Sequence, residues 1–324
     1  MKDKFIGGLL VFIGAASFGI LSSIVKTAYD AGYTLGQITS VQSFLGMAIL
    51  WILYLITKVI MSTVHHNVYH NDKGAHNKAE RSKRDHYLTV IASGIFPGLV
   101  GILYYQSVQL IPASIAIILL MQYLWISVLI DFIFFKHRPS LIQVVAVILI
   151  IAGSIVAAGV LNESISFNLK GYLYGLAAAL SYCFFIITSN RVGLSLPTLE
   201  KSALMITGAF IVTALIFLPS FIQYFDLQNP SFTKYFNVLQ EPLYRYGLIL
   251  ALLGTVIPPF LFAVGIPKVG ISISAILSAV ELPVAMLSSY FYLKEEISFL
   301  QWMGVLVILF AIVLANLRWR KKAI

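Results

Sequence analysis

The chain has 324 residues, 59% of them hydrophobic and 11% charged, with a formal net charge of +9 and a mean hydropathy of +0.90. That much apolar surface exceeds what one water-soluble core can hide, so an ordinary soluble domain is excluded. The basic excess does not indicate a nucleic-acid partner, because the charges gather between long apolar runs.

Those runs are continuous rather than alternating, which argues for helices and against a membrane β-barrel. In chain order the sequence predicts ten spans: 5–27, 36–57, 87–110, 113–135, 141–161, 169–189, 199–219, 244–265, 271–293 and 299–317. Each approaches the twenty or so residues that a helix needs to cross a bilayer. The first follows Lys2 and Lys4 with no A-x-A-like cleavage site, and is read as an uncleaved helix. The longer connections, 58–86 and 220–243, carry no hydrophobic core of their own. The single cysteine, Cys183, falls inside an apolar run and offers neither a disulfide nor a thiolate metal site.

With the N-terminus inside, seventeen of the 22 lysines and arginines fall on the cytoplasmic side and five outside. This bias predicts a multi-pass cell-membrane protein with both termini cytoplasmic. The 58–86 connection holds His65, His66, His70, His76 and His86, yet their spacing is irregular and no carboxylate or thiol set completes a metal site. A solvated, positive-inside loop accounts for it.

The two halves resemble each other. Displacing the chain by 158 residues lays Ile111–Ala116 over Val269–Ser274, Phe135–Ser140 over Leu293–Ser298, and Gln143 over Gln301; a displacement of 164 lays Gly7, Ser17 and Phe18 over Gly171, Ser181 and Tyr182. Five spans then repeat as five, and an odd number inverts the second copy. The expected units are 1–161, including the 58–86 loop, and 162–324. The second half, with Ser272, Ser274, Glu281-Leu282-Pro283-Val284, Lys294-Glu295-Glu296, Ser298, Gln301 and Gly304, resembles an EamA domain of the drug/metabolite transporter superfamily. The first half departs from that pattern, with Tyr123-Leu124-Trp125 and His137-Arg138 at the corresponding places. The resemblance implies an all-α integral membrane protein of two inverted five-helix repeats around a central cavity. Its implied activity is transport of a small solute, often export.

Glu281 is the sharpest candidate site residue. A carboxylate at bilayer depth costs several kcal/mol unless it faces a cavity or a partner, so it reads as a proton-coupling or cation-binding group. Its alternative is a protonated acid bonded across a helix interface. Span four brings Gln122, Tyr123 and Trp125 to similar depth, and the repeat sets Tyr123 opposite Glu281. Ring faces with one carboxylate would suit an amphipathic or cationic solute, although packing explains aromatic residues equally well. Tyr104 and Tyr105 in span three, Ser181 and Tyr182 in span six and Ser17 in span one complete the set, the serines being able to bond their own helix carbonyls instead. Pro258, Pro259 and Pro283 are expected hinges. Gly94-x-x-x-Gly98 and Gly171-x-x-x-Gly175 predict close helix contacts. Lys26 is expected to snorkel to the interface, and Asp131 to be an interfacial, paired charge.

No G-x-x-x-x-G-K-[ST] motif is present, and no cofactor is called for. The expected activity is secondary transport of an amino acid or similar amphipathic solute by alternating access, with Glu281 coupling it to protons. The expected partners are that solute and the lipid bilayer. A passive channel is the nearer alternative. A lipid-modifying membrane enzyme is the more distant, since it would need paired acids, a histidine cluster or a nucleophile at membrane depth.

Overall fold

The structure is a computed structural model that describes residues 2–65, 87–136, 138–158, 168–189, 191–218, 242–269 and 271–317. Most of the histidine-rich connection (66–86), His137, the 219–241 segment and the basic residues from Arg318 onward lie outside the described residues. No strand occurs among those described. Seven helical stretches are long and apolar enough to cross a membrane, and three shorter apolar helices, Leu141–Ala157, Ile276–Tyr292 and Phe299–Ala315, accompany them.

Local chemistry sets the boundaries. Helix α1 (Lys2–Asp30) ends where Gly32 takes φ +90°. Tyr33 N–H bonds to Ala28 O and Gly32 N–H to Tyr29 O, a Schellman ending that a residue with a Cβ would strain. Thr34 and Gln37 then cap the start of α2 (Leu35–His65) reciprocally. Helix α3 (Ile95–Leu110) continues an apolar stretch that begins at Tyr87, with a turn at Gly94.

Span four is not one helix. It divides into α4 (Ala113–Leu120) and α5 (Tyr123–Phe135). Span nine divides at the equivalent place, into α11 (Ile271–Ser278) and α12 (Glu281–Tyr292). Both α4 and α11 have eight residues, and each is followed by a two-residue turn. Because the first half breaks with no proline nearby, Pro283 does not cause the break. It sits in the first turn of α12, where its missing N–H would lack a helical acceptor anyway.

The repeat extends to backbone detail. Lys136 and Lys294, related by the 158-residue displacement, have φ 55° and 56°. Ser140 with Gln143 opens α6 (Leu141–Ala157), and Ser298 with Gln301 opens α13 (Phe299–Leu317), by the same capping box. Between these elements lie α7 (Leu169–Ser189), α8 (Thr198–Ile216) and α9 (Pro242–Ala251). A five-residue π-helical turn, Leu252–Val256, joins α9 to α10 (Ile257–Val269). Pro258 and Pro259 explain that turn. Neither can donate to the carbonyl four residues back, so the ladder shifts and Ile257 N–H bonds to Leu252 O.

Helices of the two halves interleave. Helix α1 packs on α10 as α7 packs on α3; α1 packs on α12 as α7 packs on α4 and α5; α2 faces α8 and α6 faces α13. Lipid tails are as apolar as leucine, so burial of apolar side chains contributes little to this association, and close approach of small residues must supply it. A Cβ on Gly153 would stand 3.0 Å from Gly304 O, and one on Gly304 would stand 2.6 Å from Gly153 O. Gly7 with Gly265 and Gly94 with Gly208 meet in the same reciprocal way. Both predicted glycine pairs make such contacts, Gly94 and Gly98 against α8, Gly171 and Gly175 against Ile111 and Leu119.

Candidate functional site

A cavity of about 640 Å³ lies between the halves. Its deep end holds Glu281, at the start of α12, with Tyr104 and Tyr105 of α3, Tyr182 of α7 and Gln42 of α2. From there it runs past Thr255 and Pro259 to the α7–α8 connection, reaching Ser189, Leu194, Thr198 and Lys201, and to Pro267 on α10. The turn that starts α12 is what presents Glu281.

The Glu281 carboxyl makes no hydrogen bond or ion pair with any described residue, yet it lies within electrostatic reach of Tyr104, Tyr123 and Tyr182. Tyr105 hydroxyl donates to Gln42 Oε1 at 2.7 Å, and Gln42 Nε2 donates to Leu250 O at 3.4 Å, so Gln42 is held in place. The π turn brings Gly254 and Thr255 to the wall. Pro258 and Pro259 leave the carbonyls of these two residues without their usual helical donors.

At the α3–α4 end the cavity is sealed by bonds from α1 to α3 within the first half and by others that cross between the halves. Ser23 and Ser288 hydroxyls meet at 2.6 Å, and Tyr29 hydroxyl donates to Tyr105 O at 3.0 Å. Lys26 Nζ donates to Val108 O at 3.1 Å, in the last turn of α3, where a cation complements the helix dipole. It therefore bridges helices instead of snorkelling. The strongest contact involves Glu295. Pro112, the residue before α4, has no side-chain acceptor with which to cap that helix. Glu295 caps it from the other half, accepting from Ala113 N–H at 2.8 Å, Ser114 N–H at 3.1 Å and Ser114 hydroxyl at 2.6 Å.

Of the residues singled out from sequence, the structure brings Glu281, Tyr104, Tyr105, Tyr182 and Pro259 to the cavity wall. Tyr123 stands behind Tyr182, ring centroids 4.6 Å apart, and does not line the cavity. Gln122 is buried in packing: its Nε2 donates to Ile118 O and Ser154 Oγ, and its Oε1 accepts from Trp125 Nε1. Both it and Trp125 hold α4, α5 and α6 together. Ser17 hydroxyl donates to Gly14 O in its own helix. Ser181, Pro258 and Pro283 do not reach the wall, and the side chain of Asp131 lies outside the described residues.

Sequence reading did not single out Gln42, Thr255, Lys201 or Glu200. Glu200 is buried at the start of α8, where its Oε1 accepts from Tyr54 hydroxyl at 3.0 Å and Tyr87 hydroxyl at 2.8 Å. An acid at a predicted span end looks interfacial in one dimension. Only the approach of α2 and α3 buries it. Among the described residues no group of three histidine, cysteine, aspartate or glutamate side chains could hold a metal.

An all-helical membrane protein built in two interleaved halves around one cavity, sealed at one end, has the form of a membrane transporter. The match to a sequence family identifies it further: the model of the EamA-like transporter family fits residues 5–159 and again 169–317, so the chain belongs to that family. Such proteins carry small-molecule solutes across membranes and are not typically enzymes. A solved structure titled "Crystal structure of protein" shares the fold, with a TM-score of 0.59 and 16% identity, covering 97% of this chain and 99% of that one. No curated protein matches the chain.

Proposed function

We propose that the protein is a secondary transporter that moves a small amphipathic metabolite, such as an amino acid, across the cell membrane by alternating access. Its ten spans form two inverted five-helix repeats, 1–161 and 162–324, with both termini cytoplasmic. In this topology the cavity faces the cytoplasm and the sealed end faces outward, which is the loading state of an exporter. The observation that carries the reading is the Glu281 carboxyl, without a partner among the described residues, at the closed end of a cavity of about 640 Å³. The interleaved, symmetric packing of the halves supports rocking about a site near the membrane middle.

Glu281 links solute movement to protons. It receives either a proton or the cationic part of the solute, and the tyrosine rings around it hold the apolar part. The bonds at the α3–α4 end argue against a passive channel, which needs a continuous path. The test is transport by proteoliposomes across a pH series, wild type against Glu281→Gln. Loss of pH dependence with retained folding is expected, and an unchanged pH profile removes Glu281 from the coupling. Failure to accumulate solute uphill under an imposed proton gradient favours the passive facilitator.

A further inference from the structure

Another cavity, of about 280 Å³, lies beside the first between α2, α8 and α10. Thr198, Ser202 and Pro259 line both cavities, so the two adjoin at these residues. Beyond that junction the wall is wholly apolar: Leu50, Leu199, Val256, Phe260 and Val264. Leu50 at its inner face is 1% exposed, whereas Phe260 and Val264 are 53% and 37% exposed on the helix surface that would meet lipid. The side cavity thus lies between the chamber that holds Glu281 and the bilayer.

The neighbouring flank of the same mouth is built the opposite way. Between α2, α3 and α8 the gap is closed by Tyr54 and Tyr87 on Glu200, and by Trp51 Nε1 on Thr207 Oγ1 at 2.9 Å. Leu50 and Trp51 are adjacent on α2, as are Glu200 and Ser202 within one turn of α8. Similar backbone positions therefore carry interlocked aromatic and acidic groups on one flank and an apolar-walled cavity on the other.

We propose that this side cavity is a subsite for the apolar tail of the transported solute, which makes the preferred cargo an amphiphile with a polar head in the main chamber. The assignment rests on the reading of the main chamber as the solute site. Thr198 and Ser202 stand where head meets tail, and the side cavity of about 280 Å³ takes a chain of roughly nine carbons if each occupies about the 30 Å³ share of a water molecule. An apolar space beside the chamber that holds Glu281 selects tail length by the transfer of each added methylene from water, about fourfold in affinity per group.

The experiment titrates the full chain in lipid nanodiscs with n-alkylammonium ions and n-alkanols from ethyl to decyl, affinities being referred to the free aqueous concentration. In the wild type both series should tighten about fourfold per methylene up to the capacity of the side cavity and then level off. Val264→Trp, which fills the space from its exposed rim, should flatten the rise and leave ethylammonium binding unchanged. Phe260→Ala should carry the rise to longer chains, and keeps the test decisive if the first variant does not fold. Equal slopes in Val264→Trp and wild type, or no slope in the wild type, overturn the proposal. A chain-length slope in the alkanols without any preference for ammonium, unaltered by Glu281→Gln, would keep the subsite while refuting the role of Glu281. Ammonium binding that needs Glu281 but ignores chain length would do the reverse.

Discussion

Replacing Glu295 by alanine is expected to unlatch the closed end of the transporter. Glu295 lies in the connection between α12 and α13, and its three bonds to Ala113 and Ser114 cross from one half to the other. Hydrogen bonds to a charged group contribute about 1.5–3 kcal/mol each. The freed α4 amides can take up water once this end opens, which returns much of that sum, and a net of about 2 kcal/mol against the closed state remains. That is about a 30-fold change in the ratio of states, so a population open at this end of about 0.1–10% becomes about 3–75%. Ser22 is buried on α1 near Tyr104 and offers a probe position. In a Cys183→Ala background, Ser22→Cys should react with an impermeant thiol reagent added from the α3–α4 side about 8- to 30-fold faster when Glu295 is alanine. Glu295→Gln, which keeps one acceptor and loses the charge, should give an intermediate rate. Equal rates in all three proteins would show that the latch does not bias the equilibrium and would refute the reasoning.

Other outcomes follow from the same geometry. Gly208→Ala would put a Cβ 1.8 Å from Ile91 O, so α8 and the stretch leading into α3 must separate; a loss of at least about 1–3 kcal/mol, read as a lowered Tm, is expected, whereas Gly101→Ala meets nothing within 4 Å and should be neutral. Gln122→Leu removes bonds to Ile118, Ser154 and Trp125; at about 0.6–1.7 kcal/mol per interhelical bond it should lower stability while leaving solute affinity intact, and a selective loss of affinity would return Gln122 to the site. Tyr54→Phe and Tyr87→Phe share Glu200 Oε1, so their effects on thermal stability should be non-additive by about 0.5 kcal/mol or more in a double-mutant cycle; strict additivity would mean that Glu200 does not couple them.

The chain's one-dimensional pattern already contains its class and its duplication. Apolar length predicts spans because every backbone group in hydrocarbon must be bonded within its own helix, which makes membrane helices legible one at a time. The repeat is legible for the same local reason: Ser140 with Gln143 and Ser298 with Gln301 are capping boxes that need only a three-residue spacing. Glu281 could be singled out because an acid inside an apolar run carries a cost wherever it sits. What lines the cavity with it is a property of neither the run nor the spacing. Gln122 and Gln42 look equivalent on paper, both amides in apolar spans; only the crossing of helices turns one into packing between α4 and α6 and the other toward the chamber. Glu295 reads as a solvated charge in a short turn until the second half is folded back over α4, whose uncapped amides lie 181 and 182 residues away. Those partners, the break that aims Glu281 and the apolar space beside Ser202 are consequences of tertiary proximity, which the order of residues along a single helix does not encode.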